Sequence, residues 1–160
     1  MKALFRVLLM AGAMQAGPAL AHEAAVSPLL GTWAVDIDKL PIPPEARPKS
    51  VTITYSDAGG GQWRTLVDVT MPDGKTVRAK STWTPDGKPV HVDGNLEADT
   101  VATRMPEPNV MITALALGGV PGSMRAYTVS PDGKTMTETV VYFTREGTPG
   151  MRANLFHRVK

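Results

Sequence analysis

The sequence predicts an all-β fold, an antiparallel up-and-down β-barrel of about eight to ten strands. Three observations carry this expectation. From Ser50 onward, short runs alternate apolar with polar residues, the period of a half-buried strand. The runs stop at clusters of Gly, Pro, Asp or Asn, and Pro-Asp-Gly-Lys recurs at Pro72, Pro85 and Pro131. No stretch of that region joins an amphipathic helical period to a cap. Tight turns between successive runs favour a sequential meander, because a Greek-key sandwich needs longer crossovers. A long meander twists, and closing it removes both exposed edges.

The first strand is read over Leu30–Ile37, with Trp33, Val35 and Ile37 on one side and Ala34 and Asp36 on the other. Asp38 to Pro48 follows with four prolines, which remove ladder donors and fix φ, so neither helix nor central strand is expected there. That segment is a stiff connector, and Pro41–Pro48 offers a sharper alternative as a lid over an open barrel end. Val51, Ile53 and Tyr55 alternate with threonines up to the break at Asp57–Gly61. Gln62–Met71 sets Trp63, Val67, Val69 and Met71 opposite Arg64 and Asp68, and Thr76–Thr84 groups Val77, Ala79, Ser81 and Trp83. The turns after these two runs, Pro72–Lys75 and Pro85–Lys88, place Pro and Gly as a type I turn extended into a hairpin loop does. The middle reads as Pro89–Asp93, a turn at Gly94–Glu97, then Asp99–Met105 and Asn109–Leu117 around Pro106-Glu107-Pro108. Breaks at Gly118–Gly122, Pro131–Lys134 and Arg145–Gly150 separate Ser123–Val129, Thr135–Thr144 and Met151–Val159.

Ahead of all this the chain carries a secretory leader. Lys2 and Arg6 supply the positive end, an apolar run follows from Val7, and Pro18-Ala19-Leu20-Ala21 supplies the small residues a signal peptidase requires. The run is too short for a permanent span, which needs roughly 20 residues. Cleavage is expected after Ala21, with residues 22–28 a flexible segment and 29–160 one domain in the periplasm or outside the cell. Loss of Lys2 and Arg6 balances the 17 basic and 15 acidic residues of the full chain. With no run of Lys or Arg, nothing attracts nucleic acid or an anionic membrane surface. Cysteine is absent, so disulfides, thiolate metal sites and thiol catalysis are excluded. The mature chain is long enough to bury a core unaided, no later segment spans a membrane as a helix, and edge closure favours a monomer.

Gly31-Thr32-Trp33, the Pro-rich loop and Ser50–Tyr55, followed by Asp99–Ala102 and Ser130–Thr137, resemble the bacterial secreted lipocalin-like proteins in order and spacing. The resemblance runs over nearly all of residues 29–160, although the Thr-Asp-Tyr motif and the C-terminal helix of typical lipocalins are missing. It implies that Trp33 plugs the closed end of the barrel, beside Gly31, with Arg158 of the last strand packing across it. That contact would combine stacking, a cation–π attraction and guanidinium hydrogen bonds. It also implies a cavity for a small, mostly apolar ligand, a fold-level analogy.

Tyr55, Trp63, Trp83, Met105, Met124 and Tyr142 are the bulky residues at expected inward positions, suited to an undemanding apolar site. Ordinary core packing is the commoner role of such residues. Catalysis has less support. His22, His91 and His157 are widely spaced, and no ligand pair such as His-x-x-x-His occurs, so no metal site is expected. No Gly-x-Ser-x-Gly elbow or phosphate loop is present. Neither a catalytic set nor a cofactor is assigned. Two function classes remain: a carrier of a small apolar or lipid-like molecule, and a ligand-free envelope interaction module acting through its surface or the Pro-rich loop.

Overall fold

A computed structural model describes residues 26–94 and 97–159. The expected leader, residues 1–21, and residues 22–25 of the tail lie outside the described residues. The strands are β1 (Gly31–Val35), β2 (Ser50–Gly59), β3 (Gln62–Thr70), β4 (Thr76–Trp83) and β5 (Asp86–His91), then β6 (Thr100–Glu107), β7 (Val110–Leu117), β8 (Val120–Val129), β9 (Thr135–Phe143) and β10 (Pro149–Arg158). They form one 10-stranded sheet in the order β4-β3-β2-β1-β10-β9-β8-β7-β6-β5. Every laddered pair is antiparallel. Apart from β4 and β5, neighbours in the chain are neighbours in the sheet, and β1 closes the meander by pairing with β10. The all-β up-and-down barrel is therefore the architecture observed.

Closure is nearly complete. Among the described residues only the β4–β5 seam lacks a ladder; one antiparallel bridge, Lys80 to Asp93, spans it with two N–H···O bonds of 2.9 Å. Gly94 permits this approach. Its φ is +97°, and a Cβ there would lie 1.9 Å from the Arg78 carbonyl oxygen.

Alternation along each strand sends Ile53, Tyr55, Trp83, Met111, Met136 and Phe156 inward, where all are buried. Trp33 lies among them, fully buried, and stands in register with Arg158 across the β1–β10 pair. The Arg158 guanidinium carbon sits 4.1 Å from the Trp33 ring centroid. Arg158 donates from Nε to the Gly133 carbonyl (2.7 Å), from Nη1 to Leu30 (2.6 Å), and from Nη2 to Pro28. The indole Nε1 in turn donates to the Leu29 carbonyl at 2.9 Å. One cation thus ties the start of the barrel, its last strand and the β8–β9 turn into a floor.

That floor also fixes chain expected to be loose. Ser27 Oγ donates to the Pro108 carbonyl at 2.5 Å, and Leu29 is fully buried.

Other boundaries shift for identifiable reasons. The Pro-rich connector holds two single-turn 3₁₀ helices, Ile37–Lys39 and Pro44–Ala46, where continuous irregular chain was expected. Pro44 opens the second, a position where its missing N–H costs nothing. Strand β8 resumes at Val120, so the break expected over Gly118–Gly122 shrinks to Gly118-Gly119; register irregularities accommodate Pro106 in β6 and Pro121 opposite Ala116. The Pro-Asp-Gly-Lys copies also diverge. At Pro72 and Pro131 they join paired strands, β3 with β4 and β8 with β9, as expected. The copy at Pro85 makes no hairpin, because β5 begins at Asp86, pairs only with β6 and leaves β4 across the seam.

Each copy nevertheless uses the same side-chain device: Asp73, Asp86 and Asp132 each accept the N–H of the lysine two residues on, at 3.0 Å. At Asp86 the Lys88 N–H, with help from the Thr84 hydroxyl, pulls the carboxyl down from 3.8 to about 2. The folded chain holds this proton less readily than the unfolded one. Its stabilisation is therefore complete above the unfolded value and is lost as pH falls through about 2. Asp86→Ala is expected to lower the urea midpoint at neutral pH, with the gap to the parent narrowing below pH 3.8. A gap that stays constant down to the folded value contradicts the assignment.

Trp33→Ala removes the floor itself. It is expected to cost about 3–5 kcal/mol out of a total of about 5–15. Equilibrium denaturation measures this, and an unchanged midpoint would show that the floor does not hold the barrel.

Candidate functional site

Above the floor the barrel encloses a cavity of about 390 Å³. Strand β1 runs from the floor at Gly31 toward Val35, so the β1–β2, β3–β4, β5–β6, β7–β8 and β9–β10 connections lie at the opposite end. Two of these connections reach the cavity, with Leu40 from the first and Val92, Glu97 and Ala98 from the second among its lining.

One wall is apolar: Ile53, Tyr55, Trp83, Val101, Met111 and Phe156 line it. The other wall is polar and centres on Glu138, whose side chain is 4% exposed. Three neighbouring strands converge there. Glu138 of β9 stands in register with Tyr127 of β8 and Asn154 of β10. Tyr127 Oη donates to Glu138 Oε1 at 2.7 Å, Arg125 Nη1 donates to the same oxygen at 3.2 Å, and Asn154 Nδ2 donates to Oε2 at 2.6 Å. Arg125 Nη2 reaches Glu97 Oε1 at 2.5 Å, closing the network toward the mouth.

The electrostatics follow from this arrangement. Burial, reinforced by the Glu138 charge, pushes the Tyr127 hydroxyl far above the usual phenol range. Burial does the same to Tyr55, whose ring meets Tyr127 edge-on at 6.2 Å. Burial opposes the Arg125 charge, but its attraction to Tyr127, Glu97 and Glu138 outweighs that penalty and holds the guanidinium charged. Two polar atoms stay open: the Thr103 hydroxyl, which can donate or accept, and Asn154 Oδ1, an acceptor, are buried without a hydrogen-bond partner among the described residues.

The structure sorts the residues expected to line the site. Tyr55 and Trp83 line the cavity, and Trp83 Nε1 donates to Thr65 Oγ1 at 2.8 Å. Trp63 does not; it stacks on Trp83, its register partner, at 5.5 Å and 22°. Met105 packs against the core outside the lining, near the irregular end of β6. Tyr142 stands over Gly150, its partner in β10, with the Arg152 guanidinium 5.7 Å from its ring. Met124 is wrongly placed by sequence: it is 54% exposed on the outer surface. Its neighbour Arg125 takes the inward position, because Glu138 supplies a buried partner for it. The residues missed were therefore Arg125, Tyr127, Glu138 and Asn154. Their signal was alternation itself, since Glu138 falls between the inward Met136 and Val140, and Arg125 is in step with Tyr127 and Val129.

Comparison with known proteins adds the fold and nothing finer. No protein-family model and no curated protein matches the sequence. Among solved structures, the chain is similar to a mutant of the fluorescent protein UnaG, with TM-score 0.56 and 9% identity over 84% of this chain and 99% of that one. It is also similar to fatty-acid-binding protein 1 of Echinococcus granulosus, with TM-score 0.52 and 16% identity over 83% and 98%. The fold they share with this chain is an antiparallel β-barrel. At such identities the likeness extends to architecture alone, so the roles of residues lining the cavity rest on the geometry above.

The polar wall makes a stability prediction. Glu138→Ala strands Arg125, Tyr127 and Asn154 without their acceptor, a loss of about 3–5 kcal/mol. Combining it with Arg125→Met is expected to restore part of that loss, since no uncompensated buried charge then remains at the pair. Urea denaturation of both single variants and the double variant measures the coupling, and simple additivity would show that the two charges act independently.

Proposed function

We propose that this protein is an extracytoplasmic carrier that holds a small apolar or lipid-like molecule inside the barrel. The observation that carries the reading is the cavity: about 390 Å³, walled on one side by aromatic and aliphatic side chains, within the range of small-molecule sites. The calycin-like fold and the similarity to a fatty-acid-binding protein support it. The leader-like start of the chain supports export. Energetics set the expected strength. Each buried methylene contributes about 0.8 kcal/mol, so about ten contribute about 8 before ordering costs, which makes micromolar affinity an upper expectation. Leu40 brings the connector that precedes Pro41–Pro48 into the cavity lining, consistent with that loop covering the mouth. The role assigned is binding, not catalysis.

A second reading, an interaction module, draws on the outer surface. Ala114, Met124, Val141 and Met151 stand in register across β7 to β10 on its outer side. Met124, Met151 and nearby Phe143 are each more than half exposed. Exposed apolar rows of this kind mark contact surfaces.

Native mass spectrometry of protein recovered from the host envelope tests the first reading. A chain beginning at His22 with a releasable small apolar mass is expected. An empty barrel that also leaves a neutral apolar dye unbound argues for the second reading.

A further inference from the structure

The polar wall restricts which apolar molecules the cavity accepts. Arg125 is the cation deepest in it, and both of its amino groups already face carboxylates of the chain, Glu138 at 3.2 Å and Glu97 at 2.5 Å. Glu138 takes two further donors, Tyr127 and Asn154, so the hydrogen bonds that would receive an anionic head group are spent on a resident carboxylate. An incoming carboxylate would have to expel Glu97 or lie beside Glu138 at a like-charge cost. The other guanidinium in the lining, Arg152, is exposed at the rim against Tyr142, where an ion pair is screened and contributes little.

The polar wall leaves an acceptor unmet. Asn154 must turn its amide nitrogen toward the Glu138 carboxylate, which leaves Oδ1 as its free atom, an acceptor only. Thr103, 1% exposed on β6, also carries an unpartnered hydroxyl, which can accept or donate. Both residues line the cavity. Buried polar atoms in native proteins are nearly always paired, because leaving one unpaired forfeits its hydration without return. We infer that the ligand is an uncharged, hydroxyl-bearing apolar molecule of the long-chain alcohol class, and that the barrel discriminates against the corresponding carboxylate. The inference rests on the carrier reading above and names the ligand class for that cavity. The alcohol hydroxyl donates to Asn154 Oδ1 or Thr103 Oγ1, and its chain lies against Tyr55, Trp83 and Phe156.

Displacement of Nile red, a neutral apolar dye, from the delipidated mature chain tests this. Dodecanol is expected to displace the dye about tenfold more tightly than dodecanoate at neutral pH. Thr103→Val and Asn154→Leu are expected to weaken dodecanol while leaving dodecane unchanged or tighter, with circular dichroism confirming the fold. Glu138→Gln, which removes the resident charge but keeps an acceptor, is expected to narrow the preference by improving dodecanoate. Dodecanoate binding as tightly as dodecanol in the parent overturns the inference and leaves the carrier reading standing. A folded chain that binds neither Nile red nor any of the three compounds overturns both.

Discussion

The pairing of β1 with β10 turns a meander into a container, and the contact between Trp33 and Arg158 sits at that joint. A sheet of ten strands with free edges would leave two rows of unpaired N–H and C=O groups. Here one edge disappears at β1–β10, and the seam between β4 and β5 is reduced to a bridge. Arg158 holds three carbonyls that no ladder uses, at Pro28, Leu30 and Gly133. An ammonium in its place would provide neither the flat stacking surface nor the fork that meets these acceptors. The floor therefore depends on guanidinium geometry as much as on charge, and the space above it exists because the floor is sealed.

What fills that space follows from a second constraint. Burying a carboxylate without partners is prohibitive, and Glu138 is tolerated because each oxygen is met by donors on neighbouring strands. Such networks rarely add net stability against a well-packed apolar alternative. The barrel would close without one, since Met136, Val140 and Phe156 show that the same rows accommodate ordinary core residues. A polar wall facing the cavity is consistent with selection among occupants, not with holding the strands together.

The fold was legible because barrel formation depends on local signals. Alternation in Ile53–Tyr55 or Val77–Trp83, and turns at Pro72 and Pro131, mark strands and their order without knowledge of distant contacts. The Pro85 copy was misleading for the same reason: its residues make the same local turn, but whether strands pair across it depends on β6, which holds Asp86 opposite Arg104. Arg158 could be singled out only through likeness to other barrels, as nothing in its own strand distinguishes it from Arg152. The site was harder to read. Treating apolar residues as inward chose Met124 over Arg125, and that rule fails wherever a buried charge has a partner on the next strand. Glu138 and Arg125 are 13 positions apart and meet only through the β8–β9 pairing.

Placement of the network also bears on how the cavity communicates with solvent. Glu138, Tyr127 and Asn154 belong to laddered strands, whereas Glu97 lies in the β5–β6 connection beside the weakly closed seam. The Arg125–Glu97 contact is thus the point where the rigid wall grips the least-paired part of the barrel. Glu97 is 56% exposed at its side chain, so it meets Arg125 from the solvent side, while Glu138 meets the same guanidinium from the interior. The geometry separates two roles for carboxylates that bind one guanidinium. Glu138 sets the polarity of the interior and cannot leave without unfolding the wall. Glu97 completes the network from the mouth side, at the end of the wall that borders the seam.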